Sequence, residues 1–369
     1  VASGATLAFS NGGGDVLTAN AACLIDGAGN LTFSMSGTTG TDYANIKPAS
    51  GVTLTLAARI AASGNSGVEL NSAGTLLLTN PNNTFTGYAR ASAANGTLAF
   101  SAPAALGLGA VGLDGNPSKL IYTGAASATL SLPIQITAAA AAIENAGSGP
   151  LTLGGSIAPA SAGTKTLTFI ASTQTNIVSG GLSNGSGLLG VVSGAGTLVL
   201  NGTVTDCTLT AGGGSTLGVG SSAVFQNRVL SLSAGSTLAL NPAAAASFAV
   251  TLPLTNTLAG AGVRIVVPAA VTASAVTLPS LLRASTSCSL DIAATELGTA
   301  RNTLLIQNMS AGALPAWLTV NGQPAAYDVT RGLLPAAASA TNSLTALGPS
   351  VIPDDAAAAA VIDAAGTAG

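Results

Sequence analysis

Small polar and aliphatic residues alternate along most of the chain in short runs, and the runs are bounded by Gly, Ser or an Asn-Gly pair. Period-two alternation is the pattern of a strand with one buried face, and Gly or Asn-Gly at its ends is turn chemistry. One phrase recurs, a Gly or Ser leading into Thr-Leu and then alternating residues. It stands at Gly4–Phe9, Gly29–Phe33, Gly51–Leu56, Gly74–Leu78 and Gly96–Phe100, and again at Ser127–Leu132, Gly149–Leu153, Thr164–Phe169, Gly196–Leu200 and Gly235–Leu240. No helical stripe competes with it, so the chain is predicted to be all-β.

The central leucines of the first five copies, Leu7, Leu31, Leu54, Leu76 and Leu98, are separated by 24, 23, 22 and 22 residues. That length accommodates two or three short strands with their turns, which is one coil of a parallel β-solenoid. Each coil leaves an apolar edge that the next one covers. Leu76, Leu98, Leu198 and Leu238 are accordingly predicted to lie in the core. Tandem β-sandwiches also place strands at short spacing and are the alternative architecture. The repeats assign residues 1–348 to a solenoid body. Over 349–369 the pattern changes: Asp354-Asp355, an alanine run and Gly366 spell a short C-terminal helix or a docking tail.

Composition supports a narrow core, since aromatic residues are only 3% of the chain and the interior must be filled by stacked aliphatic columns. Charged residues are 6%, against about a quarter in ordinary globular domains, so solubility rests on Thr, Ser, Asn and Gly. The formal charge of −3 offers no basic footprint for nucleic acid. The longest apolar stretch, Ile265–Leu282, carries no charge, but Pro268, Pro279 and interspersed Thr and Ser make it strands and not a membrane-spanning helix. Cys23, Cys207 and Cys288 are too far apart and odd in number for a zinc spacing or a disulfide framework, and are expected as buried thiols. The chain opens on Val1 without Met, as a processed product would.

From Leu76 the sequence runs as an aliphatic strand, then Asn83-Thr-Phe-Thr-Gly87, a Gly96-Thr-Leu strand and an Ala105-Leu-Gly loop leading to Leu113. This resembles the passenger-associated repeat of autotransporter proteins, with Phe85 at a turn where that repeat carries Tyr; a weaker copy begins at Gly194. The resemblance implies a right-handed parallel β-helix displayed outside a bacterial cell.

Catalytic patterns are present only in part. Gly181-Leu-Ser-Asn-Gly185 has the outline of a nucleophile elbow, but the chain has no His to act as base, so it reads as a turn. Gly107-Leu-Gly-Ala-Val-Gly112 has the outline of a dinucleotide fingerprint but precedes no helical pattern. Glycoside hydrolysis needs paired carboxylates. Here Asp15, Asp26, Asp42, Glu69, Glu144, Asp206, Asp291 and Glu296 stand singly, and Asp114 with Lys119 and Tyr122 reads as a coil-edge salt bridge or polar patch. Neither enzymatic activity nor a cofactor or metal site is expected.

The function these features predict is that of an extracellular structural protein, a subunit of a surface filament or layer that associates with copies of itself through its ends. An adhesin-type module that binds surface glycans is the alternative, and a polysaccharide-active enzyme a remote one. The residues expected to join copies are Val1, Leu7 and Phe9 at one end and Val361 and Ile362 at the other, because strands at the end of a stack have unpaired edges.

Overall fold

In the computed structural model the protein is an all-β parallel solenoid of about 12 turns with 1% helix. The structure describes residues 1–336 apart from 12–14, 36–42, 62–66, 172–173, 221–222, 227, 242, 244–246, 268–272 and 308. The predicted C-terminal helix or tail, with Val361 and Ile362, lies outside the described residues. The chain divides into two compact units, residues 1–218 with 222–228, and residues 219–221 with 229–369.

The first coil of the first unit consists of β1 (Thr6–Asn11), β2 (Asp15–Ala19) and β3 (Cys23–Ile25). The second is β4 (Asn30–Met35), β5 (Tyr43–Pro48) and β6 (Thr53–Leu56), and the third is β7 (Arg59–Ala61), β8 (Gly67–Leu70) and β9 (Thr75–Leu78). Next come β10 (Ala89–Ala91) with β11 (Gly96–Phe100), then β12 (Val111–Leu113) with β13 (Ser118–Tyr122). Each strand pairs in parallel with its counterpart one coil on: β1–β4–β7 form one sheet, β2–β5–β8–β10–β12 begin a second and β3–β6–β9–β11–β13 a third.

Alternation fixes what each strand buries. In β6, β9, β11 and β13 the residues Leu54, Leu76, Leu98 and Leu120 are in register and fully buried, and Leu56, Leu78, Phe100 and Tyr122 form a second buried column beside them. Leu198 and Leu238 are buried as well, so all four predicted core leucines lie inside. The leucine spacing misleads at one step. Leu7 pairs with Leu31, but Leu31 pairs onward with Ile60, while Leu54 stands in the third sheet between Cys23 and Leu76. The step from Leu31 to Leu54 therefore crosses to another face of the coil. Both are strand-central leucines after a turn, and period-two alternation carries no information about which sheet a strand joins.

Corners have few neighbouring strands, and buried asparagines supply the missing hydrogen bonds there. Asn83 accepts from the Ile60 amide at 2.7 Å and donates to the Ala105 carbonyl at 2.7 Å, tying the coil before to the coil after. An amide side chain offers both a donor and an acceptor, which suits it to this double contact. Phe85, in the same turn, packs beneath Gly107, where a Cβ would stand 2.7 Å from its ring and where φ is +76°. Only glycine meets both conditions. The segment resembling the autotransporter repeat thus folds as a structural corner.

In the second unit Thr237–Leu240, Val263–Val267, Leu290–Ala294 and Leu318–Val320 stack in parallel, as do Ser247–Thr251, Ala273–Leu278 and Asn302–Ile306. The described residues of Ile265–Leu282 include the end of Val263–Val267 and all of Ala273–Leu278, both strands, and no helix among the described residues is long and apolar enough to cross a membrane. Parallel stacking then gives way: Gln323–Asp328 runs antiparallel to both Leu318–Val320 and Gly332–Pro335.

Candidate functional site

The first coil is where the repeat leaves its interactions incomplete. Its strands β1, β2 and β3 each stand last in their sheets, so one edge of each pairs with no other described strand. Core columns end there too. Leu7 lies on the buried Leu31 yet is itself 43% exposed, Cys23 stands over the buried Leu54 and is exposed, and Phe9 stacks on Phe33 with ring centroids 5.6 Å apart. Leu24, on the outer side of β3, is exposed as well. Val1 is half-buried, and its ammonium group donates to the Asp26 carbonyl one coil on. Val1, Leu7, Leu24 and Ile25 line one shallow depression in this face. The structure thus brings together Val1, Leu7 and Phe9, and adds Leu24 and Ile25, which sequence reasoning does not single out. Their signal lies in the chain order: Cys23–Ile25 belongs to the first described coil, and no other described strand lies on its far side.

Cys23 is not the buried thiol expected of it, because no described strand stacks on the far side of the column it heads. Cys207 and Cys288 are buried, and all three are free. Burial pushes the Cys207 thiol up to about 12, which leaves it an inert filler.

The charged groups sort into separate pairs. Asp114 does not meet Lys119: Arg90, one coil earlier, donates to it through Nε at 2.7 Å, while Lys119 reaches Glu144 one coil later at 2.9 Å. Tyr122 is buried and donates its hydroxyl to the Ala126 carbonyl at 2.5 Å. The predicted patch fails because side chains on a solenoid find partners across coils, 24 and 25 residues away, sooner than along their own strand. Asp291 accepts from Thr319 at 2.8 Å and lies 3.9 Å from Arg264, whereas Glu296 lies 3.6 Å from Arg301, so these two acids serve different partners. Asp354 and Asp355 lie outside the described residues. Gly181–Gly185 holds the short strand Leu182–Ser183 and a turn closed by the side-chain oxygen of Asn184, which accepts from the Leu189 amide at 2.7 Å. Gly109, within the glycine-rich loop after Ala105, packs on the backbone of Gly87, where a Cβ would stand 2.2 Å from its oxygen. Among the described residues no three His, Cys, Asp or Glu side chains gather as metal ligands would.

Compared with known proteins, the chain matches no family, no curated protein and no solved structure.

Proposed function

We propose that the protein is an extracellular structural subunit of a cell surface, which associates with copies of itself through the coil formed by β1, β2 and β3. The observation that carries this reading is the coincidence, on one face, of three unpaired strand edges with the exposed ends of core columns at Leu7 and Cys23. A strand edge supplies main-chain hydrogen bonds and an open column supplies apolar area, and a second copy satisfies both at once. A low-charge stack faced with Thr and Ser suits a stiff spacer.

Sedimentation velocity tests it. The wild-type chain is expected to associate as concentration rises, with little dependence on salt because few charges are available to screen. Leu7→Asp, which places a charge on the open face without entering a closed core, should sediment as a monomer. A wild-type chain that stays monomeric at high concentration overturns the assembly reading and leaves the glycan-binding surface module in its place.

A further inference from the structure

The second sheet of the first unit presents to solvent a face unlike the rest of the molecule. Inward residues of its strands, such as Ala44, Val68, Ala89, Val111 and Ile134, are buried, so the residues between them point outward. Asn45, Glu69, Arg90, Gly112 and Gln135 occupy one outward column in register through β5, β8, β10, β12 and the next strand, Ile134–Ile136. Rungs of a parallel sheet recur about every 4.8 Å, close to the advance of one pyranose residue in an extended chain.

Two tyrosines flank this column. Tyr43 and Tyr88, both half-exposed, meet edge to face with ring centroids 6.5 Å apart. Gly67 makes the meeting possible: a Cβ there would stand 3.0 Å from the Tyr43 ring and 2.3 Å from the Tyr88 carbonyl. Gly112 serves the neighbouring ion pair in the same way, since a Cβ would stand 2.9 Å from the Arg90 Cβ and 3.1 Å from the Asp114 carboxylate. Neither glycine has a positive φ, so it is space and not backbone conformation that selects them.

The polar groups are held in place beforehand. Arg90 lies over the Tyr43 ring at 4.7 Å and donates to one Asp114 oxygen through two nitrogens at 2.7 and 2.6 Å, while Thr137 donates to the other. Burial raises the Tyr43 phenol above its ordinary value, against the pull of Arg90, so its hydroxyl remains a donor. Lys47 and Arg90 do not outnumber the acids of this sheet, which include Glu69, Asp114 and, paired in register with Asn45, Asp15, so the face carries no excess positive charge.

We propose that this face binds an extended neutral saccharide, with Tyr88 as the stacking ring and Glu69, Arg90 and Gln135 as hydroxyl partners along the column. Aromatic rings present an apolar surface to the C–H face of a pyranose, and fixed amide, carboxylate and guanidinium groups match the donors and acceptors of its hydroxyls. A face without excess positive charge has nothing to offer the carboxylates of an acidic polymer that would offset their desolvation. Saccharide binding here is independent of self-association.

The test is titration of the full chain with cellohexaose, laminarihexaose and polygalacturonate oligomers, followed by calorimetry and by the tyrosine ring signals in nuclear magnetic resonance. Only Tyr43 and Tyr88 among the 4 tyrosines have exposed rings, since Tyr122 and Tyr327 are buried. A neutral hexasaccharide is expected to shift their signals in the wild type, with an affinity unchanged by salt. Tyr88→Ala should weaken binding about tenfold or more, Gln135→Ala should weaken it less, and Thr97→Ala, on another sheet, should leave it unchanged. Failure of both neutral hexasaccharides to bind, preference for polygalacturonate, or binding that leaves the two exposed rings unperturbed overturns the proposal. The wild-type ring signals decide the matter even if Tyr88→Ala does not fold.

Discussion

The part of the first unit from Leu54 to Leu120 and the second unit apply the same repeat with different lengths of chain per coil. In the first unit Leu54, Leu76, Leu98 and Leu120 are paired at intervals of 22 residues, whereas in the second Leu238, Ile265, Ile292 and Val320 are paired at 27 to 28. The shorter coil leaves little slack at its corners, and its polar side chains meet at hydrogen-bonding distance: Arg90 with Asp114 at 2.6 Å and Lys119 with Glu144 at 2.9 Å. In the second unit the between-coil pair Arg264 with Asp291 stands off at 3.9 Å, as does Arg228 with Asp206 late in the first unit, while Arg301 with Glu296 at 3.6 Å is a tie within one turn. The second unit also abandons parallel stacking at Gln323–Asp328 and closes on a hairpin. Backbone register is kept at both coil lengths, and Thr319 of the second unit still reaches Asp291, 28 residues away, at 2.8 Å.

The largest effect that tests this contrast comes from placing a charge in each core. Leu98 and Leu238 are both fully buried in stacked columns. Leu98→Asp and Leu238→Asp should each cost about 4 kcal/mol or more, because a carboxylate enters an apolar column with no partner. Denaturant unfolding checks this, and if tight stacking transmits strain between coils the Leu98 variant loses more. Equal losses would mean that coil length governs surface pairing alone.

Corner asparagines sharpen the comparison at smaller cost. Asn83→Ala removes the acceptor of the buried Ile60 amide and the donor to Ala105, leaving two orphaned backbone groups. Asn256, in the second unit, donates to the Pro253 and Ser280 carbonyls, and its own side-chain oxygen is buried without a partner, so truncation there also removes an unsatisfied atom. Asn83→Ala is expected to cost about 2–4 kcal/mol and Asn256→Ala about 1–2 kcal/mol. The midpoints of chemical denaturation rank them, and the reverse order would show that the second unit depends more on its corners than the first.

Inside and outside are legible in the side-chain pattern alone: Leu76, Leu98, Leu198 and Leu238 are all buried, and Ala273–Leu278, in the longest apolar stretch, is a strand. The pattern is silent on which face a strand joins, so near-equal spacing sets Leu31 and Leu54 in one column when they belong to two. Partners across coils are equally hidden. Asp114 finds Arg90, not Lys119, because pairing depends on the length of every intervening turn. Tyr43 and Tyr88 meet across Gly67 for the same reason, two coils apart in sequence and neighbours in space. The end coil is more legible, since Leu7 and Phe9 open the chain with a complete strand pattern. Exposure of Cys23 follows from the same position in the first coil, but the residue type points the other way, because free cysteines are usually buried.

The smallest effect separates ties between coils from ties within a turn. Asp328 sits at the hairpin that closes the described part of the second unit, and its carboxylate accepts from the Thr330 hydroxyl at 2.6 Å, the Thr330 amide at 2.8 Å and the Arg331 amide at 2.9 Å. These contacts, with the Thr330 hydroxyl foremost, hold its carboxyl at about 2, below the ordinary 3.8. A group with a lowered folded-state value stabilises the protein above its unfolded value, and that stabilisation is lost as pH falls toward the folded value. The window is therefore about pH 4 down to 2, and with no His in the chain no imidazole titrates between pH 5 and 8. Thermal melting of the wild type should decline slightly across the acid window, and Asp328→Asn should show a shallower decline, because an amide oxygen accepts the same bonds without titrating. Since the carboxylate is tied only to residues two and three places along the chain, amide exchange should quicken in Gln323–Pro335 alone as the pH falls, with the stacked strands of the first unit unaffected. Quickening in β11 or β13 over the same window would show that acid acts on the parallel stack itself and not on the local turn alone.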